Sequence, residues 1–176
     1  MVKRLEGVSR SVLLIGLILV VVLVGTYYYY QNKQNNIARI DSKAGMPYAT
    51  NIINETERNT NFRKVLFTGT RSQLVVMSIP PGGEVGEETH TYTEQTLFFL
   101  SGTGKAILDG KESAIKAGDV VVVTPGTKHN FVNTGTIPLK LYTVYAPPNH
   151  IDGLIEATKA DAEANVQDEA YGNQPK

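Results

Sequence analysis

The stretch EETHTYTEQ, residues 87–95, places side chains of metal-binding type at close spacing. Glu88 and His90 are two residues apart, Gln95 follows five residues after that histidine, and His129 stands just after a Pro-Gly pair. Because residues two apart on a strand point to the same face, Glu88 and His90 can share one side of a sheet. Two imidazoles, a carboxylate and an amide oxygen make a mixed nitrogen and oxygen set. If the four side chains converge, this donor set suits one divalent transition metal: Mn, Fe, Ni or Zn.

Each of these residues also has a purely structural interpretation. His90 can end a strand, and His129 can cap a turn through hydrogen bonds. Glu88 belongs to an acidic run that a solvated loop would also contain, and Gln95 can bond to backbone in a small core. The sequence assigns no catalytic residue, because nothing marks a serine on a strained turn beside a base.

Composition excludes several classes of site. The chain has no cysteine, which excludes disulfides, a thiolate metal site and a cysteine nucleophile. Seventeen Lys and Arg balance seventeen Asp and Glu. The basic excess lies before residue 44, so the larger remainder is mildly acidic and has no electrostatic reason to bind nucleic acid.

The elements that must position these side chains are short strands. Turn signals recur every eight to twelve residues, which is typical of an antiparallel sandwich or barrel. Asp109-Gly110 predicts a two-residue hairpin, and the run Val120 to Thr124 predicts a fully buried strand. After Pro147-Pro148, a capping box at Thr158 predicts a short helix. The strands are predicted at residues 64–67, 74–79, 97–100, 105–108, 113–115, 120–124, 129–132 and 139–145.

The segment VLLIGLILVVVLVGTYYYY, residues 12–30, carries no charge. Nineteen residues nearly cross a hydrocarbon core of about 30 Å as a helix, and the tyrosines are typical of an interfacial belt. The segment therefore predicts an uncleaved transmembrane helix, with a cleaved signal peptide as the alternative. A single-pass membrane protein follows, and the N-terminal charges favour an outside or lumenal position for the large domain.

These patterns divide the chain into five parts. They are a basic flank at 1–11, a transmembrane helix at 12–30, a polar linker at 31–46, a β-domain at 47–150, and a short helix with a tail at 151–176.

Two longer motifs resemble the cupin family. PGGEVGEETHTYTEQTLFFLSGTG is similar to the first cupin motif and GDVVVVTPGTKHNFVN to the second, within a resemblance that runs from about residue 47 to 164. The resemblance implies an all-β jelly-roll barrel with a divalent metal inside. Glu88 takes the place of the family's first histidine, His90 is the second, Gln95 replaces the family's glutamate, and His129 matches the histidine of the second motif.

The resemblance leaves three functions open for this membrane-anchored cupin. The first is a metal-dependent enzyme of the oxygenase or isomerase type, acting on a small molecule. The second is a module that binds a small ligand of the sugar type without turnover. The third is a structural domain that pairs as a homodimer through its sheets. Reaction type does not follow from fold.

Overall fold

The computed structural model describes residues 19–27 and 47–175 of the chain. The chain divides into two units, residues 1–39 and residues 40–176. In the first unit, residues 19–27 are helical and their side chains are exposed. The predicted basic flank and polar linker lie outside the described residues.

The prediction of a transmembrane helix at residues 12–30 is wrong. Its described part, residues 19–27, is helical. Residues 12–18 and 28–30 lie outside the described residues. Within residues 19–27 and 47–175, no helix has the length and apolar character needed to cross a membrane. This finding contradicts the single-pass localisation, and it gives no support to the membrane as a partner.

The second unit contains ten strands and three short helices. The strands are β1 Arg63–Thr68, β2 Gln73–Ile79, β3 Glu88–Thr89, β4 Glu94–Ser101, β5 Thr103–Leu108, β6 Lys111–Lys116, β7 Val120–Val123, β8 Lys128–Asn133, β9 Leu139–Ala146 and β10 Ile155–Glu156. The helices are α1 Ile52–Arg58, α2 Lys159–Glu163 and α3 Val166–Gly172.

The strands form two antiparallel sheets, which confirms the predicted all-β class. One sheet has six strands in the order β10-β1-β2-β9-β4-β7, and the other has four in the order β3-β8-β5-β6. The prediction of a closed barrel is wrong, because among the described strands no edge of one sheet pairs with an edge of the other. Three of the four outer strands are short: β3 and β10 have two residues each and β7 has four.

The core consists of the inward faces of these strands. Burial alternates along β8 and β9, as expected when one face of a strand packs on a core. The fully buried members of the core include Val75, Ile79, Leu97, Leu139 and Leu141. Their removal from water supplies most of the energy that holds the unit together.

Strand β7 departs from its prediction. The sequence predicts a fully buried strand, but Val120 is 54% exposed and Val122 is 50% exposed, while Val123 is buried. The reason is topological, because β7 is the last strand of the six-stranded sheet and has a neighbour on one side only. A run of β-branched residues does not distinguish a central strand from an edge strand.

The turn and the helix cap that the sequence predicts are both present. Asp109 and Gly110 have φ values of 48° and 77°, as a type I′ hairpin turn between β5 and β6 requires. Thr158 forms the predicted capping box with Asp161 at the start of α2. Helix α1, capped by Asn51, was not predicted, and two short helices follow β10 where the sequence predicts one.

Gly104 marks a close approach between β5 and β8. A Cβ atom built on Gly104 would lie 2.3 Å from the carbonyl oxygen of Val132. Since backbone must move to admit it, we expect Gly104→Ala to lower the free energy of unfolding by about 1–3 kcal/mol. Urea unfolding checks this, with Lys111→Ala on the exposed hairpin as the control. An unchanged Gly104→Ala midpoint would contradict the close packing of β5 on β8.

Candidate metal site

The β3–β8 strand pair brings two of the predicted ligands together. In this antiparallel pair Glu88 lies opposite His129. His90 follows β3 directly, and its carbonyl oxygen accepts a hydrogen bond of 2.9 Å from the backbone N–H of Gly126. That bond ties the loop after β3 to the turn before β8. Glu88 and His129, which are 41 positions apart in sequence, therefore share one small region because of strand register.

Glu88, His90 and His129 form a compact triad. One ligand atom from each lies within 4.8 Å of the others. The Oε2 atom of Glu88 is 3.5 Å from Nε2 of His90 and 4.0 Å from Nε2 of His129. Both Nε2 atoms are buried and have no hydrogen-bond partner. A buried polar atom without a partner destabilises the fold, so these two nitrogens call for a binding partner. Two imidazole nitrogens beside a carboxylate form a donor set that suits a divalent transition metal.

The Nδ1 atoms of His129 and His90 have different neighbours. Nδ1 of His129 lies 2.9 Å from the carbonyl oxygen of Thr127. A carbonyl only accepts, so Nδ1 carries the proton and Nε2 presents a lone pair. Nδ1 of His90 instead lies 3.4 Å from Nδ2 of Asn149. The Oδ1 atom of Asn149 is buried without a partner.

Gln95 lies next to this triad through Tyr145. Its Nε2 donates a hydrogen bond of 2.9 Å to the Tyr145 hydroxyl, whose ring packs edge-on against His90 with centroids 5.7 Å apart. Gln95 is 3% exposed, and its Oε1 atom has no hydrogen-bond partner. An amide oxygen is thus available for a cation, and its role as a ligand stays a prediction.

The two carboxylate oxygens of Glu88 have different partners, because Arg63 binds only one of them. Its guanidinium lies 3.2 Å from Glu88 Oε1, while Oε2 of the same carboxylate points to the histidines. Arg63 also contacts Glu156 at 3.1 Å and Asp168 at 3.6 Å, and it is 5% exposed. One buried cation therefore serves three carboxylates, two of which come from the C-terminal segment.

These charges fix the ionisation of the site. Burial alone would raise the pKa of Glu88, but the contact with His90 and the charge of Arg63 lower it to about 2. Burial is also the main cause that lowers the pKa of His129, assisted by the nearby His90. Near neutral pH the site therefore holds an ionised carboxylate and a neutral His129, the forms that bind a metal.

His150 belongs to a different cluster. His150 lies after β9 and is 3% exposed, with Nδ1 2.7 Å from Asp168 Oδ2. Burial and the charge of Arg63 lower its pKa to about 4. It is not a member of the triad.

Sequence reasoning missed Arg63 and Asn149. A usable signal existed for Arg63, since it shares the inward face of β1 with Val65, and a charge at such a position indicates a buried ion pair. No comparable signal exists for Asn149, because its approach to His90 depends on the path of the chain after β9.

A cavity of about 600 Å³ opens beside the triad. Glu88 and His90 line it together with residues from α2 and α3. A volume of this size accommodates a small molecule. The triad thus adjoins a space where a ligand could meet a bound metal.

Comparison with known proteins places this arrangement in a family. The Cupin domain family matches residues 75–145. The uncharacterized protein YrkC of Bacillus subtilis is 40% identical over 125 residues, which cover 67% of this chain and 67% of that protein. The crystal structure of BH2720 from Bacillus halodurans is 38% identical with a TM-score of 0.67, covering 68% of this chain and 95% of that chain. The Oxalate-binding protein of Thermotoga maritima is 37% identical over 68 residues, 39% of this chain and 56% of that protein.

The matched residues contain His90 and His129 together with the strands that position them. The likeness to BH2720 extends over nearly the whole of that chain, so it covers the arrangement of sheets and not a single motif. The chain belongs to the cupin family.

Proposed function

We propose that this chain binds one divalent transition metal through Glu88, His90 and His129, with Gln95 as the fourth ligand. The metal in turn holds a small oxygen-bearing molecule in the adjoining cavity. The observation that carries the proposal is the pair of buried Nε2 atoms, both without hydrogen-bond partners and both near the Glu88 carboxylate.

The donor chemistry supports a metal such as Mn, Fe, Ni or Zn. Imidazole and carboxylate ligands suit these ions, whereas the site contains no sulfur, which Cu(I) prefers. Bound there, the ion would supply Lewis-acid polarisation of a ligand oxygen. The chain's own contribution is to hold Glu88 ionised against Arg63 and to hold the Nε2 lone pair of His129 toward the site.

The relatives support a small-molecule ligand. One of them is an oxalate-binding protein by name, and the cavity beside the triad has the volume for a molecule of that order. Metal-dependent turnover and metal-dependent binding without turnover both use this site, so metal occupancy is the first property to test. Pairing of the chain as a homodimer stays a prediction from the cupin resemblance.

Metal content of the full chain tests the proposal. The protein is purified without a histidine tag or chelator, loaded in turn with Mn²⁺, Fe²⁺, Ni²⁺ and Zn²⁺, dialysed, and measured by plasma mass spectrometry. We expect close to one equivalent of at least one of these metals in the wild type. His90→Ala/His129→Ala should retain none, because a single carboxylate and an amide cannot replace two imidazoles.

A neighbouring acid provides the matched control. Glu87→Ala removes an exposed carboxylate that is paired with Lys128, one position before Glu88. It should keep the full metal content. Circular dichroism must show that the double variant is folded. A folded wild type that takes up none of the four metals would refute the proposal.

A further inference from the structure

The cavity beside the triad has a strongly acidic wall. Its carboxylates number six, against two permanent cations, Arg63 and Lys159. A bound divalent ion would reduce this excess and leave the wall negative. The six are Glu84, Glu87, Glu88, Glu163, Asp168 and Glu169.

Both cations of the wall are already engaged. Lys159 Nζ lies 2.8 Å from Glu84 and 3.4 Å from Glu163. Arg63 is shared among three carboxylates, although its Nε atom has no hydrogen-bond partner. Glu169 has no ion pair with any residue in the ranges 19–27 and 47–175. An anionic ligand would therefore have to displace an existing ion pair, whereas a cation would meet the carboxylate of Glu169 directly.

His150 supplies an independent indication of what the cavity accepts. It lines the cavity, is 3% exposed, and its Nε2 atom has no hydrogen-bond partner. Its Nδ1 lies 2.7 Å from the Asp168 carboxylate, which only accepts, so Nδ1 carries the proton of the neutral ring. Nε2 is then a buried acceptor that lacks a donor.

We propose that the cavity binds a small molecule carrying an ammonium group, with a ligand oxygen toward the metal and the ammonium among the carboxylates that α2 and α3 contribute to the wall. Glu163 and Glu169 contribute negative charge to the wall, and His150 contributes a buried acceptor. Clefts lined by one sign of charge concentrate ligands of the opposite sign. The inference rests on the proposed metal site for the position of the ligand oxygen only.

A second consequence is discrimination against dicarboxylates. Oxalate offers acceptors and two negative charges, and it would face a wall of acceptors with the same charge. The ligand of this chain thus differs in charge class from the ligand in the name of its Thermotoga relative.

Three two-carbon probes separate the possibilities by equilibrium dialysis of radiolabelled compound against the full chain. They are ethanolamine, ethylene glycol and oxalate, each tested on Zn²⁺-loaded and metal-free protein. We expect ethanolamine to bind about tenfold more tightly than ethylene glycol, and oxalate to bind more weakly than ethanolamine. Equal or tighter binding of glycol or oxalate, or no binding of ethanolamine at millimolar concentration, would overturn the inference.

Two double variants test which carboxylates cause the preference for ethanolamine. Glu163→Gln/Glu169→Gln should lower ethanolamine affinity several-fold and leave glycol unchanged. Glu57→Gln/Glu112→Gln removes two exposed carboxylates that do not line the cavity and should change neither. The metal-free arm separates the two proposals. Ethanolamine preference without any metal uptake would refute the metal site alone, whereas metal uptake with oxalate preference would refute the ammonium ligand alone.

Discussion

Replacing Arg63 by methionine should lower the free energy of unfolding by about 3–5 kcal/mol, the range for breaking a buried ion pair on one side. Arg63 is 5% exposed, and its partners Glu156 and Asp168 are 3% and 4% exposed. Methionine restores much of the side-chain volume but no charge, so both carboxylates would lose their cation in a region that water barely reaches. Urea unfolding of the full chain measures the loss.

Two further variants test whether the stability lost in Arg63→Met is due to the missing charge. Arg71→Met removes an exposed arginine between β1 and β2 and should change stability by no more than about 0.5 kcal/mol. Arg63→Met/Glu156→Gln/Asp168→Asn also neutralises the two most buried partners and should recover much of the loss, since replacing the partners of a buried charge together with it is often nearly neutral. A loss below about 1 kcal/mol for Arg63→Met would mean that the cluster contributes little.

The stability lost in Arg63→Met should also depend on pH, and it should become smaller in acid. Burial raises the pKa of Asp168, but its contacts with His150 and Arg63 outweigh burial and lower it. A carboxyl with a lowered folded pKa stabilises the wild type above the unfolded value, about 3.9, and this stability is lost as pH falls through the folded pKa. Without Arg63, Asp168 binds its proton more readily in the folded state. The gap between wild type and variant should therefore narrow in acid, and a gap that widens would contradict this account.

Local sequence signals predicted the fold well where the chain itself enforces the geometry. The strands from residue 64 to 145 are all present, because turn residues and alternation act within a few positions. The Asp109-Gly110 turn and the Thr158 cap are of the same kind. Edge position and sheet closure were not predictable in this way. They depend on which strands pair over long distances, as the exposed valines of β7 illustrate.

The candidate site likewise contains residues that local sequence predicted and residues that only long-range packing brings together. Spacing predicted that Glu88 and His90 share a face, and the triad brings both together with His129, which lies opposite Glu88 on β8. The residues around them come from elsewhere in the chain. Arg63 lies on β1 and Asp168 on α3, and neither has a sequence relation to residues 87–95. Only the packed chain brings them to the triad.

Asn149 should control how tightly His90 binds a metal. A histidine that ligates through Nε2 carries its proton on Nδ1, and that N–H requires an acceptor. Asn149 is the residue beside Nδ1, 3.4 Å away through Nδ2, while its Oδ1 is buried without a partner. Half a turn of the amide would present Oδ1 to the N–H of a metal-bound His90. The side chain is therefore placed to hold the ring in its ligating orientation.

We expect Asn149→Leu to weaken Zn²⁺ binding about 10–100-fold, the usual cost of losing such a partner, and Asn149→Asp to bind at least as tightly as the wild type. Competition with a fluorescent zinc indicator measures both affinities on the full chain. Asn173→Leu makes the same change at an exposed position of the same cavity wall and should leave affinity unchanged. Rescue by aspartate separates an acceptor for Nδ1 from mere packing, because leucine and aspartate have similar bulk but only the carboxylate accepts a hydrogen bond. Wild-type affinity in the leucine variant would show that His90 orients without Asn149.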